Sequence, residues 1–169
     1  VIKMAYEAKS SHIASALSIV DIISVLYNDF LIYDSNNTEL INRDRFILSK
    51  GHACSALYAV LGLKKFFDKK LLSLYSKENT DFMAHVSHKV PGVEFSTGSL
   101  GHGLPFGTGI AHALKLKKTQ SKVYVLIGDG ELAEGSNFES LLFAAHNKLD
   151  NLILIVDNKY EQAIVCYDK

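Results

Sequence analysis

Two apolar runs, "KVYVLIGD" (122–129) and "NLILIVD" (151–157), each end in an aspartate, and a helix-period segment, "SNFESLLFAAHNKL" (136–149), lies between them. No other feature narrows the fold so far. A strand that is apolar at consecutive positions must be covered on both faces, and strand-helix-strand order then gives parallel pairing. The expectation is an α/β fold, a mostly parallel sheet with helices on both faces. At 169 residues the chain is about one domain, long enough to bury a core. Ligands of such sheets sit beyond the carboxyl ends of the strands, where Asp129 and Asp157 both stand.

The remaining segments fit this frame. "DRFILS" (44–49) reads as a third strand and runs into "KGHACSALYAVLGLKKFF", whose small residues suit a helix docked tightly on a sheet. In "LSIVDIISVLYNDF" Leu17, Val20, Ile23 and Tyr27 recur at helical spacing, and Ile19, Ile22 and Leu26 widen the stripe, so a largely buried helix is expected. "KKLLSLYS" reads as one or two helical turns. Residues 81–103 carry one proline, four glycines and three histidines without periodicity, and long irregular segments in compact domains are usually functional. "LPFGTGIAHALKLKK" is a helix whose early glycines let its backbone approach something closely. Phe138, Leu141, Leu142, Ala145 and Leu149 share one face of the 136–149 helix and are expected to be core.

Composition excludes some partners. Lys plus Arg and Asp plus Glu both number 18, so there is no electrostatic footprint for nucleic acid or an anionic membrane. The hydrophobic fraction of 48% and mean hydropathy of +0.11 indicate a globular chain, with apolar surface to bury against a partner. No apolar run is expected to reach the length of a membrane span. Cys54 and Cys166 lack paired spacing, so reduced thiols and a cytoplasmic setting are expected. A helical pattern that begins at Val1 without methionine implies a preceding segment.

The chemistry concentrates at the strand ends. Asp129 and Asp157, with an amide or carbonyl from the second strand's loop, would make a hard oxygen site for Mg²⁺ or Ca²⁺. Mg²⁺ usually completes its octahedron with phosphates and water. Gly128 and Gly130 let the backbone near a diphosphate, and the helix that begins near Ala133 points its N-terminus at that charge. Two solvated strand-end aspartates are the bland alternative. Glu131 either approaches the metal or caps the helix entry. Lys115, Lys117 and Lys118 read as a solvated face at a helix end, and His112 and His146 as surface or core residues.

"GDGELAEGSNFESLLFAAHNKLDNLILIVDN" resembles the thiamine-diphosphate binding motif of transketolases. "AKSSHIASALSIVDIISVLY", "DRFILSKGHACSALYAVL" and "VPGVEFSTGSLGHGLPFGTGIAHAL" resemble three further segments of that family, in order. The resemblance implies the thiamine-diphosphate-binding fold, with one diphosphate-binding domain over residues 1–169, truncated at both ends. The pyrimidine-binding domain would come from a C-terminal subunit or domain outside this chain, so the chain resembles the N-terminal subunit of a split transketolase or a piece of a longer one. The cofactors implied are thiamine diphosphate and Mg²⁺. Asp129 matches the metal-binding aspartate, and Gly130 a backbone contact to the diphosphate. His52 matches a histidine lining the diphosphate and donor sugar, and His12 and His85 match histidines that face the substrate's hydroxyls and reacting carbon. Imidazole suits that work because it exchanges protons near neutral pH. Gly98 and Leu100 match contacts to the aminopyrimidine and thiazolium. Glu134 matches a buried carboxylate that communicates with the activating glutamate across the family's dimer interface. His102 stands where the family usually has glutamine, and His88 matches no role.

The implied activity is transfer of a two-carbon ketol unit from a ketose phosphate to an aldose, by a homodimer or heterotetramer that includes the pyrimidine partner; the chain alone is expected to be inactive. A non-catalytic assembly subunit is the alternative. A 2-oxo acid dehydrogenase component or deoxyxylulose phosphate synthase is disfavoured by the Pro-Gly-Val-Glu and Gly-Ser-Leu-Gly segments.

One departure touches the metal. The family usually reads Val-Asp-x-Asn, whereas here Asn158 follows Asp157 directly and Lys159 takes the expected position. A protonated lysine cannot ligate Mg²⁺. Either the loop shifts so that Asn158 reaches the metal, or one residue is absent, or metal binding is lost. The tail "AIVCYDK" also lacks the family's continuation. Ala14 for a common glycine and Phe138 for a common tryptophan are tolerable changes.

Overall fold

The computed structural model describes residues 1–159; the "AIVCYDK" tail and Cys166 lie outside them. The three apolar runs become parallel strands β1 (Arg45–Leu48), β2 (Val123–Gly128) and β3 (Leu152–Asp157), in that spatial order. Alternation divides their side chains between two cores. Phe46, Leu48, Tyr124 and Leu126, with Ile153 and Ile155 beside them, enter one face, while Ile47, Val123, Val125 and Ile127, with Leu152, Leu154 and Val156, enter the other. Burying a side chain of this size contributes about 1.5–3 kcal/mol, which is why strands with no polar face hold the centre.

The first face is covered by α1 (Ile2–Ala8), α2 (Ile13–Leu17), α3 (Val20–Val25) and α4 (Cys54–Leu63). A turn of π-helix, Leu26–Phe30, extends α3. The second face is covered by α5 (Gly103–Leu116) and α6 (Gly135–His146). The close approach expected of the α5 glycines is present: a Cβ on Gly107 would stand 2.4 Å from Val125 Cγ2.

Three expectations are corrected. The helix read through 17–30 breaks at Ser18 and Ile19, and Leu17 is exposed while Ile19, Ile23, Leu26 and Tyr27 are buried. The helical run Ile13–Phe30 is, by length and composition alone, apolar enough to cross a membrane, contrary to expectation, and only 28% of it is buried. Ala16, Ile19, Ile23, Leu26 and Tyr27 enter the core with α4 and β1, while Leu17, Val25 and Phe30 stay exposed. On α6, Phe138 and Leu142 are 57% and 74% exposed, and Leu141 and Ala145 are also open. The helix instead buries Asn137 and Ser140, and of the expected face only Leu149, past its end, is core. Periodicity marked a face that needs covering; within this chain nothing among the described residues covers it.

Lys115 is no free surface charge either, since its ammonium bonds the Asp150 carboxylate (2.9 Å) and the Lys148 carbonyl, tying α5 to the α6–β3 turn. Residues 81–102 form only turns and bends, yet they are stitched to the framework. Val86 N–H donates to the Gly51 carbonyl (3.2 Å), Thr97 N–H to the Val86 carbonyl (3.2 Å) and Thr97 Oγ1 to the Leu48 carbonyl (2.6 Å). Such bonds let an irregular segment lie against a core without orphaned polar groups.

Candidate active site

The register pairs Gly128 with Asp157, so β2 and β3 end side by side. Asp129 N–H donates to the Asp157 carbonyl at 3.3 Å, which puts both aspartates on one edge, as read from the sequence. Their side chains differ in occupation. Asp129 is half-buried; its Oδ1 accepts from Gly130 N–H (3.0 Å) and its Oδ2 from Lys159 N–H (3.1 Å). Asp157 is buried, and its Oδ2 receives Lys50 Nζ at 2.6 Å and Ser18 Oγ at 2.7 Å, with Lys159 Nζ at 3.4 Å. Two ammonium groups and a hydroxyl share Oδ2, so in this structure Asp157 anchors a buried ion pair, which counts against the metal-ligand role expected of it. Burial by itself raises the Asp157 carboxyl, but the Lys50 and Ser18 hydrogen bonds and the two lysine charges bring it below its usual range. Burial pulls Lys50 downward, opposed by Asp157. Asn158 lies exposed beside this pair.

Three histidines from three segments converge. His12 precedes α2, His52 sits in the 3₁₀ turn Gly51–Ala53 that opens α4, and His85 comes from the 81–102 loop. The His12 ring centroid is 5.3 Å from that of His52 and 5.9 Å from that of His85. Burial holds the His52 imidazole down to about 4, assisted by the positive charge of Lys50 and by the neighbouring histidines and Lys159. It is therefore neutral at pH 7. Tyr58 fixes His85, because its hydroxyl donates to the His85 carbonyl (2.8 Å) and accepts from Ser87 N–H (3.0 Å). Gly98 borders the same ring: a Cβ there would be 3.6 Å from the His85 imidazole. Leu100 is half-buried two residues on. Outside the cluster, His88 bonds Ser96, His102 is exposed with Nδ1 3.1 Å from the Leu100 carbonyl, and His112 packs edge-on against Phe143.

Glu131 does not face this space. It is 2% exposed; Oε1 accepts from the Ser49 hydroxyl and from Gly101 N–H (2.8 Å), and Oε2 from Gly128 N–H (3.3 Å). Its expected contact with cofactor or metal is corrected, and the capping alternative survives in the bond back to Gly128. Glu134, expected to be buried, is exposed in this chain at the start of α6, beside the open apolar face.

Lys50, Ser18, Tyr58 and Ser49 were not singled out from sequence. For Lys50 a signal existed: a lysine at the junction of an apolar strand and a small-residue helix must bury its stem, and a buried ammonium needs a carboxylate. Among the described residues no three His, Cys, Asp or Glu side chains form a metal cluster, so a cation at Asp129 would draw further ligands from backbone, water or a bound phosphate.

The profile of the family described as "Transketolase, thiamine diphosphate binding domain" matches residues 1–165. An apulose-4-phosphate transketolase subunit from Phocaeicola vulgatus is 39% identical over 157 residues, 93% of this chain and 56% of that protein. The protein of the same name from Actinobacillus succinogenes is 42% identical over 99% of this chain and 63% of its own length. The chain thus spans about three-fifths of these curated relatives. Among solved structures, transketolase from Leishmania mexicana superposes with a TM-score of 0.86 at 29% identity, over 94% of this chain and 26% of that one. Profile, relatives and superposition agree, and the chain belongs to the family of transketolase thiamine diphosphate binding domains.

Proposed function

We propose that this chain is the diphosphate-binding component of a thiamine-diphosphate- and Mg²⁺-dependent transketolase, which moves a two-carbon ketol unit from a ketose phosphate to an aldose. The observation that carries the reading is the convergence of His12, His52 and His85 next to Lys50 and the β2–β3 edge. The residues suit the cofactor: Asp129 keeps a half-exposed carboxylate at a strand end, Gly98 leaves room beside the imidazoles, and Lys50 brings positive charge to the edge. Asp129 would hold Mg²⁺ with Asn158, and the Gly128 and Gly130 backbone would lie along the diphosphate. Bound thiamine diphosphate supplies the carbanion stabilisation that breaks the carbon–carbon bond. The chain's own work is orientation and proton handling. Neutral His52 can accept a hydrogen bond from a sugar hydroxyl on a ring nitrogen, and His12 and His85 can hold adjacent hydroxyls.

The relatives are themselves named as subunits of a transketolase, which supports a second chain carrying the pyrimidine-binding part. The exposed face of α6, with Glu134 at its start, offers an apolar surface for a homodimer or heterotetramer. Sugar phosphates of the kind in the relatives' names are the substrate class. The full-length protein, mixed with its pyrimidine-domain partner, should convert a ketose phosphate and an aldose into a ketose two carbons longer than that aldose. Transfer of no two-carbon unit from any of several donors would refute the reading. Lys159 motivates the alternative of a non-catalytic assembly subunit, but its ammonium is turned to Asp157 and only its N–H meets Asp129, which favours the catalytic one.

A further inference from the structure

One buried carboxylate joins the three segments that surround the strand edge. Glu131 Oε1 accepts from Ser49 at the end of β1 and from Gly101 in the 98–103 loop, and Oε2 accepts from Gly128 at the end of β2. The Ser49 hydroxyl in turn accepts from Gly103 N–H at 3.0 Å. Gly101 is held on its other side as well: its carbonyl accepts from Ser136 Oγ at 2.6 Å, and its φ of +81° brings it against Glu134, where a Cβ would be 2.6 Å away. Asn137 Nδ2 fixes the Glu131 backbone through its carbonyl at 2.6 Å. The 130–137 segment therefore grips both peptide groups of Gly101. In the same loop stand Leu100, directly before Gly101, and Gly98, which lies against His85.

A buried carboxylate is retained only where it has donors to satisfy it, and here two of the three are peptide N–H groups of site-lining segments. A loop fixed before a ligand arrives spares the ordering entropy that binding would otherwise spend. We infer that Glu131 is a positioning residue: acting through Ser49 and Gly101, without touching cofactor, it presets the 98–101 loop for the ring portion of thiamine diphosphate. The inference rests on the function proposed above. It separates the loop, which would meet the rings, from Asp129, which would meet the metal and diphosphate.

The test uses the full-length protein and the isosteric Glu131→Gln variant, which places an amide N–H₂ against a peptide donor. In the ligand-free protein, amide exchange at 98–103 should accelerate about tenfold while β1 and α4 are unchanged, the scale of one lost hydrogen bond to a charged acceptor. Calorimetry with Mg²⁺ should show thiamine diphosphate binding about tenfold weaker but inorganic pyrophosphate within about twofold of wild type. Ser49→Ala should give the same pattern more weakly, and serves if Glu131→Gln folds poorly. Unchanged exchange at Gly101, or equal losses for both ligands, would overturn the positioning role. Wild-type protein that binds neither ligand would instead refute the cofactor reading, so the two failures are told apart.

Discussion

Lys50 leaves β1 and turns its ammonium inward, where the side chains of Lys50 and Asp157 are only 2% and 7% exposed. Removing one partner of such a pair strands the other charge, so Lys50→Met should lose about 3 kcal/mol of unfolding free energy in denaturant titration, more than an exposed lysine would. The Asp157 carboxyl lies below its unfolded value, so its contribution is complete above about pH 4 and lost as pH falls through the lower folded value. His52 has the same sign, since its folded state resists protonation. Its share of stability is whole above about pH 6.5 and declines toward about 4, where its imidazole signal should titrate by NMR. A midpoint near 6.5 would contradict the burial that sets the site's proton state. At this scale the sequence was partly legible. Asp129 and the three histidines fell in recognisable motifs, but a motif names positions and not partners. Whether Asp157 faces a metal or a lysine depends on Ser18 and Lys50, which lie 139 and 107 residues away along the chain.

Among the elements, the strands were the most readable because fully apolar runs with short polar ends admit little else, and β1, β2 and β3 fall within the expected segments. The 81–102 loop was legible only as irregular. Its order comes from bonds between residues far apart in sequence, Tyr58 to the His85 backbone and Thr97 to β1, which no local pattern encodes. Tyr58→Phe removes the donor to the His85 carbonyl and the acceptor of Ser87 N–H, and should destabilise the domain by about 1–3 kcal/mol in thermal unfolding. It should also speed amide exchange around Ser87, while an unchanged exchange rate there would show that the loop is held by other means.

For the whole molecule, the open face of α6 is the main difference between expectation and fold. Apolar period correctly located a surface that water disfavours, but not that the described residues leave it uncovered. Replacing Phe138 and Leu142 together by lysine should shift the full-length protein to a smaller species in sedimentation while leaving far-ultraviolet circular dichroism unchanged. Unaltered sedimentation would contradict the α6 face as a surface for assembly. In the proposed function the β2–β3 edge tethers a diphosphate through a cation on Asp129. Calorimetric titration of the full-length protein and its Asp129→Ala variant with thiamine diphosphate, with and without Mg²⁺, tests it most directly. Wild type should bind only when Mg²⁺ is present and the variant should not bind at all; binding that survives in Asp129→Ala, or that ignores the metal, would contradict it.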